Sequence, residues 1–189
     1  AAKSEVFADF EGKDFGGWTA EGDAFGDRPT LGALSKQQRI DGVQGVALAN
    51  SFHKDDDGVG SLTSPEFAIR LPYIHFLIAG GTNADLTGAA LTVNGSALRS
   101  AAGRNDERLR WTTWDVRELE GKTARIVLTD KSKAGWGHIE ADKIVFSESP
   151  VATPVARPVS RVAREHKVDE ARLGRWTRLL SSEDITVSA

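Results

Sequence analysis

The stretch from 133 to 146, KAGWGHIEADKIVF, places Trp136 and His138 between glycines and runs into an alternating polar and apolar segment. An imidazole can act as a general acid or base, and an indole can rest against a sugar ring. The same two residues can instead brace a loop that closes against the last strand. The sequence carries no nucleophile elbow, zincin motif or phosphate-binding loop that would supply a catalytic partner for His138.

Acidic side chains are the second group that could do chemistry. Glycosidases need two carboxyl groups held at set distances across a sugar. The chain has so many acidic residues that such pairs are expected by chance, and the sequence therefore does not favour catalysis. The candidates are Glu21, Asp23, Asp27, Asp106, Glu107, Asp115 and Asp130.

Metal-ligating patterns are weak. Asp55, Asp57 and Glu66 are spaced as the first, third and twelfth ligands of a calcium loop, but Val59 occupies the fifth position and neither flank is helical, so an EF-hand is rejected. A structural calcium of another geometry stays open, as does a solvated acidic loop. The histidines lack close ligand spacing, so a zinc site would have to form by folding alone. They are His53, His75, His138 and His166.

Aromatic side chains near strand ends favour sugar recognition, because carbohydrate presents C–H faces to rings and hydroxyls to polar groups. The alternative is that the same side chains fill the core. Trp114 is predicted to be a core residue, whereas the two interpretations of Trp136 are equally supported. The tryptophans expected at or near strand ends are Trp18, Trp111, Trp114 and Trp136.

Composition excludes several kinds of partner. A net charge of -3 disfavours nucleic acid and anionic membranes, and the longest apolar run, at 73–81, is shorter than the roughly 20 residues of a membrane span. The absence of cysteine excludes disulfides and thiol chemistry. The chain begins without Met or a leader-like segment, so we expect a piece of a longer protein whose export signal lies outside it.

The elements that must position these residues are strands. Short β-prone runs separated by Gly, Asn, Asp or Pro fill residues 5 to 148, which is typical of an all-β sandwich. Asn94-Gly95 predicts a two-residue hairpin turn within 89–101. The run at 73–81 is apolar on both faces and predicts a central strand, with His75 facing one covering layer. A last strand is predicted to bury Ile139, Ala141, Ile144 and Phe146, with a break near Asp142-Lys143.

The domain organisation follows from a change in composition. We predict a β-sandwich over 4–148 and a Pro-rich linker over 149–168. The last segment, 169–189, is predicted to hold a short amphipathic helix, with its apolar side chains at helical spacing over 169–180. The helix could pack on the sandwich or begin another domain.

The order of motifs resembles a known family. FEGKDFGGWTAEGDAFG, GVALANSF, GSLTSPEFAI, YIHFLIAGG, LRWTTWDV and GWGHIEADKIVF follow one another as in the β-sandwich carbohydrate-binding modules appended to bacterial levanases, over residues 5 to 147. Similar modules occur inside large bacterial proteins with c-type-cytochrome-like domains, and the linker and helix look more like that setting. The resemblance implies a non-catalytic, jelly-roll-like antiparallel sandwich that binds terminal fructose of a fructan through acidic and Arg side chains.

The resemblance also implies a set of carbohydrate-binding residues. Glu107 and Arg99 are expected to be exposed, so that replacing either would abolish binding without unfolding the chain. The full set is Glu21, Asp23, Arg99, Asn105, Glu107, Trp136 and His138.

The leading hypothesis is therefore a carbohydrate-binding module of a larger secreted, periplasmic or cell-surface bacterial protein. Its partners would be a fructan or other glycan and the other domains of that protein, with no nucleic acid partner and no membrane insertion. No cofactor is expected apart from the structural calcium left open above. The alternatives are a structural or interaction domain without a ligand, and a glycoside hydrolase.

Overall fold

The computed structural model of the protein describes residues 2–152, and nearly all of its regular structure is β. In chain order the elements are β1 Ser4–Ala8, β2 Thr19–Gly22, β3 Ala49–Asn50, β4 His53–Asp56, β5 Gly60–Thr63, β6 Phe67–Ala68, β7 Tyr73–Gly80, β8 Thr87–Val93, β9 Ser96–Ala101, β10 Asp106–Asp115, a 3-10 turn Arg117–Leu119, β11 Thr123–Asp130 and β12 Ile139–Ser147. The segments at 153–168 and 169–189, predicted as most of the linker and as the helix, lie outside the described residues.

All of these strands except β4 are placed in two antiparallel sheets. One has the order β1-β12-β7-β10, with β3 also pairing with β12, and the other has the order β2-β5-β11-β8-β9, with β6 also pairing with β11. Apolar side chains from both sheets meet in one core, which includes Phe76, Leu91, Trp114, Ile126 and Ile139. The antiparallel β-sandwich predicted from the sequence is confirmed.

Local sequence signals set three features of the sheets. Asn94 and Gly95, with φ of 50° and 78°, form the predicted two-residue turn between β8 and β9. β7 lies between β10 and β12 and is buried over nearly its whole length, as its apolar composition predicts. β12 shifts register between Asp142 and Val145, and this bulge returns Ile144 to the core face that Ile139 and Ala141 occupy.

A segment preceding β3, residues 37–48, packs on the β1-β12-β7-β10 sheet. Leu77 and Ala79 alternate along β7 with residues of the main core, and they form a second apolar cluster with Ile40, Leu48 and Leu109. Buried carboxylates on that side accept backbone N–H bonds: Asp142 Oδ2 from Gln44, and Glu11 Oε1 from Val46 and Ala47. Because this segment lies on the sheet, polar residues of β12 that would otherwise face water are buried.

Candidate functional site

The candidate site lies where four strands begin or end. β7 ends at Gly80, whose register partners are Asp106 at the start of β10 and Ile139 at the start of β12. This pairing places Glu107 and His138 side by side. Asp56, the last residue of β4, lies against the loop that precedes β12, because its Oδ1 accepts the Gly137 N–H at 3.0 Å.

His138 is the centre of a buried polar group that we call the histidine cluster: Asp56, Glu107, His138 and Glu140. His138 Nδ1 lies 2.6 Å from Asp56 Oδ1, and its Nε2 lies 3.2 Å from Glu107 Oε1 and 3.3 Å from Glu140 Oε1. The side chains of Glu107, His138 and Glu140 are 6%, 4% and 0% exposed, whereas that of Asp56 is 32% exposed. The cluster therefore reaches solvent through Asp56.

A layer of amides holds Glu140. Gln37 Nε2 donates to Glu140 Oε1 at 2.7 Å, and Asn50 Nδ2 donates to Gln37 Oε1 at 2.8 Å. Asn50 Oδ1 in turn accepts the Phe52 N–H at 3.0 Å. Glu140 is thus fixed by Gln37 from the segment that covers the sheet, and Asn50 of β3 holds Gln37 in turn, which explains how a carboxyl group can be fully buried there.

The close packing of these groups shifts their pKa values. Burial raises the pKa of Glu140 well above its usual range, and the adjacent Glu107 raises it further. Burial also opposes ionisation of Glu107, but hydrogen bonds with His138 and Glu140 outweigh it and lower the pKa of Glu107. Burial opposes the charged imidazole, yet hydrogen bonds to Glu107 and Asp56 raise the pKa of His138. The cluster favours an imidazolium, an ionised Glu107 and a protonated Glu140.

Trp136 lies at the outer edge of the histidine cluster. Its ring centroid is 5.7 Å from that of His138, and the residue is only partly buried. Its φ of 61° is in the left-handed region, which a bulky side chain rarely adopts. Gly81 packs tightly behind this backbone, since a Cβ at position 81 would lie 2.4 Å from Trp136 O. The backbone that carries the indole is therefore closely packed and has little freedom to move.

Asn105 flanks the same edge. It is exposed, has a φ of 55°, and donates its N–H to Gly80 O at 2.8 Å. Its Oδ1 accepts the Thr82 N–H at 3.1 Å. Four of the residues predicted from the resemblance are thus brought together: Asn105, Glu107, Trp136 and His138.

The other three predicted residues lie on the second sheet. Glu21 and Asp23 are exposed in and just after β2, and Asp23 Oδ1 accepts the Val59 N–H at 3.2 Å. Arg99, on β9, donates to Asp115 O at 3.0 Å and pairs with Glu118.

Arg99 and Glu107 do not share one pocket. Glu107 lies at the start of the ten-residue strand β10, which spans roughly 30 Å. Asp115, which Arg99 contacts, is the last residue of the same strand. The expectation that Glu107 is exposed is wrong, because the segment before β3 and the loop before β12 bury it. Arg99 is partly buried, with 30% of its side chain exposed.

The carboxylates considered for glycosidase chemistry have other partners. Ion pairs with neighbouring arginines hold Asp27, Asp106 and Asp115, and each pairing lowers the pKa of the carboxylate. Asp130, at the end of β11, is buried, and burial raises its pKa to about 7. Glu107 and Glu140 both contact His138 Nε2 and are almost fully buried, so a sugar ring does not fit between them.

The acidic loop considered for calcium carries ion pairs. Asp55 Oδ2 lies 2.7 Å from Lys36 Nζ, and Glu66 Oε1 lies 3.3 Å from Arg125 Nη2. These cations offset the negative charge of the loop. A calcium ion bound there stays a prediction.

The tryptophans divide between core and surface. Trp114 is 4% exposed and packs 4.5 Å from Phe76, which confirms it as a core residue. Trp111 lies inside β10 rather than near a strand end, and it packs against the second apolar cluster. Trp18 precedes β2 and contacts Phe7 and Phe10. Among these four, Trp136 is the one adjacent to the histidine cluster.

Sequence reasoning missed Asp56, Gln37 and Glu140. Glu140 follows His138 by two residues and alternates with buried Ile139 and Ala141, so its position on the opposite sheet face was readable from the period of β12. Its burial was not, because it depends on the segment containing Gln37.

No family model matches this chain. A curated relative is the Aspergillus rugulosus protein named "Putative glycosyl hydrolase ecdE", which is 40% identical over 154 residues. The alignment covers 80% of this chain and 22% of that protein, so the chain spans about a fifth of the length of the relative.

Two solved structures are also similar. A cleaved adhesin domain of Lys-gingipain from Porphyromonas gingivalis aligns at 18% identity and a TM-score of 0.49, covering 78% of this chain and 99% of that one. A variant of a family 29 carbohydrate-binding module aligns at 15% identity and a TM-score of 0.47, covering 82% of this chain and 99% of that one. At these scores the likenesses carry no weight for function. Within residues 2–152, no helix has the length and hydropathy needed to cross a membrane.

Proposed function

We propose that this domain is a non-catalytic carbohydrate-binding module whose sugar-contacting surface lies around Trp136. The observation that carries the proposal is the partly exposed indole, which a left-handed backbone holds beside the buried His138. Residues kept in sparsely populated backbone regions cluster at binding sites, where the strain fixes the position of a functional group. A fixed ring costs little entropy when a ligand stacks on it.

Polar groups around the indole complete the surface. Asp56, which contacts Gly137 and His138 through Oδ1, is 32% exposed and offers its other carboxylate oxygen to sugar hydroxyls. Asn105, whose backbone N–H donates to Gly80 O, is exposed and offers its side-chain amide to sugar hydroxyls. Proteins recognise sugars with this combination of an aromatic face, a hydrogen-bond acceptor and an amide.

The buried part of the histidine cluster has a supporting role in this proposal. Glu107 and His138 are too buried to contact a sugar directly. They fix the start of β12 and therefore the loop that presents Trp136. Glu107 and His138, two of the seven residues predicted to bind carbohydrate, are therefore proposed to position the Trp136 loop instead of contacting the sugar.

The ligand class proposed is the end of a glycan, with terminal fructose of a fructan as the first candidate. Support for fructan comes from the order of sequence motifs, which resembles that of the levanase modules. We further propose that the domain is an accessory part of a larger secreted bacterial protein. The chain spans only 22% of the relative that is named a hydrolase. We therefore propose that any catalytic activity of the larger protein belongs to another part of that protein.

Isothermal titration of the chain with levan, inulin and fructose, after a glycan array has identified further ligands, tests the proposal. We expect Trp136→Ala to weaken binding by about tenfold or more, equivalent to roughly 1.4 kcal/mol of lost stacking. Lys133→Ala, an exposed change in the same loop, is the matched control and should bind normally. Absence of binding to every glycan would favour the structural or interaction domain instead, and release of reducing sugar would favour a hydrolase.

A further inference from the structure

We infer that Glu107, His138 and Glu140 form a binding site for a divalent transition-metal ion, with zinc as the best fit. One ligand atom from each residue, an imidazole nitrogen and two carboxylate oxygens, lies within 4.8 Å of the others. All three residues are buried. We refer to these three residues as the triad. The inference does not depend on sugar binding.

Two of the three spacings in the triad match the edge of a metal tetrahedron. His138 Nε2 lies 3.2 Å from Glu107 Oε1 and 3.3 Å from Glu140 Oε1. Ligands bound at 2.0–2.1 Å in tetrahedral geometry stand about 3.3 Å apart. The third pair, the two carboxylate oxygens, lies within 4.8 Å. An ion can therefore bind all three atoms after a small adjustment of the two glutamate side chains.

Two carboxylate oxygens in the triad have no partner outside it. Glu107 Oε2 and Glu140 Oε2 are buried, and no other residue within residues 2–152 donates a hydrogen bond to either. The two carboxyl groups interact with each other through the proton of Glu140. Buried carboxylate oxygens without partners are rare and costly, because burial removes their hydration. A divalent cation would displace the proton of Glu140 and bind both carboxylates in their ionised form, with the Oε2 atoms available as additional ligands.

The residues around the triad are arranged as in metal sites. Histidine ligands usually donate the second ring N–H to a carboxylate, which fixes ring orientation and increases basicity. His138 Nδ1 makes this contact with Asp56 at 2.6 Å. Glu140 is oriented in the same way by Gln37, whose Nε2 donates to its Oε1 at 2.7 Å. The imidazole and one carboxylate are therefore preoriented before an ion arrives.

The ligand types select the metal. Zn²⁺ accepts imidazole nitrogen and carboxylate oxygen in a small four-coordinate site, whereas Ca²⁺ takes six to eight oxygen ligands at longer distances. The triad offers a nitrogen and a compact set of atoms. It should therefore prefer zinc to calcium and bind one ion per chain, tying the start of β10 to the start of β12.

Metal content and thermal unfolding of the full chain test this inference. The chain is stripped with a chelator, incubated with ZnCl₂ or CaCl₂, and dialysed before the metal is measured. We expect about one retained Zn²⁺ per chain, no retained Ca²⁺, and a thermal midpoint about 5 °C or more higher with excess zinc. Zinc affinity should fall at least about tenfold in Glu140→Gln and His138→Gln. Glu120→Gln, an exposed change, is the control.

Two results would overturn the inference: no zinc retained by the unsubstituted chain, or equal zinc affinity in Glu140→Gln. Glu140→Gln keeps the size of the side chain and is neutral, so it tests the site even where His138→Gln does not fold. Near-UV circular dichroism checks the fold of each variant. Glycan titrations with and without zinc are scored separately, so that failure of sugar binding is distinguishable from failure of metal binding.

Discussion

His138 Nδ1 lies 2.6 Å from Asp56 Oδ1, although 82 residues separate them in the chain. The contact joins β4 to the loop that carries Trp136, and the same Asp56 oxygen accepts the Gly137 N–H. One carboxylate therefore holds both the buried imidazole and the backbone next to the exposed indole. The proposed sugar surface and the buried triad share this support.

Replacing Asp56 with Asn should weaken that support. We expect Asp56→Asn to lower the free energy of unfolding by about 1–3 kcal/mol, because His138 loses a charge-assisted partner. Urea denaturation measures the change. Asp57→Asn is the matched control, since Asp57 is the exposed next residue. Equal stability of the two variants would show that the contact with His138 is energetically unimportant.

Gly81 should be intolerant of a side chain. A Cβ there would lie 2.3 Å from Thr87 Oγ1 and 2.4 Å from Trp136 O, so Gly81→Ala must displace the Trp136 loop. We expect a loss of about 1–3 kcal/mol in stability together with at least tenfold weaker glycan binding. Gly135→Ala adds a methyl group in the same loop where no atom lies within 4 Å. Unfolding and isothermal titration of both variants check the prediction, which normal binding by Gly81→Ala would refute.

Asp130 should make the stability depend on pH. Burial raises its pKa from an ordinary value of 3.8 to about 7 in the folded chain. Between about pH 4 and pH 7 the unfolded chain therefore loses this proton while the folded chain keeps it, and stability falls as pH rises. The titration of Asp130 contributes on the order of 4 kcal/mol to the free energy of unfolding. This contribution is fully present below pH 4 and is lost above pH 7.

Asp130→Asn carries no titrating group, so we expect a smaller loss of stability from pH 5 to pH 8 than in the unsubstituted chain. Urea unfolding at the two pH values measures it, with the exposed Asp85→Asn as control. The difference between the Asp130 variant and the unsubstituted chain isolates Asp130 from other titrating groups. An unchanged pH dependence in the Asp130 variant would contradict the assignment.

Arg99 should be dispensable for binding at the proposed surface. It contacts Asp115 and Glu118 near the end of β10 opposite to Glu107. We expect Arg99→Ala to bind glycan with unchanged affinity in isothermal titration. A tenfold loss with the fold intact would place the sugar on the second sheet and would restore the residue set that the sequence resemblance implies.

Local signals in the sequence predicted much of the fold. Asn94-Gly95 marks the hairpin turn, the doubly apolar run at 73–81 marks the central strand, and the broken alternation after Ile139 marks the bulge of β12. Each of these features is encoded within a few consecutive residues, because turn conformation and side-chain period are local properties.

The site could be predicted only in part. Trp136 and His138 stand together in the sequence, so one short motif identifies both. The partners of His138 were harder to find, because Asp56 and Glu107 reach it through strand pairing over long separations. The burial of Glu107 depends on how a segment without strands packs on the sheet, and no short-range pattern encodes that packing.

A crystal structure of the chain soaked with short fructans and a mixture of monosaccharides tests the central claim most directly. The account predicts a sugar ring stacked on the Trp136 indole, with hydroxyl groups hydrogen-bonded to Asp56 and Asn105. A sugar bound at another face, or no bound sugar at concentrations that saturate the protein in solution, would contradict it.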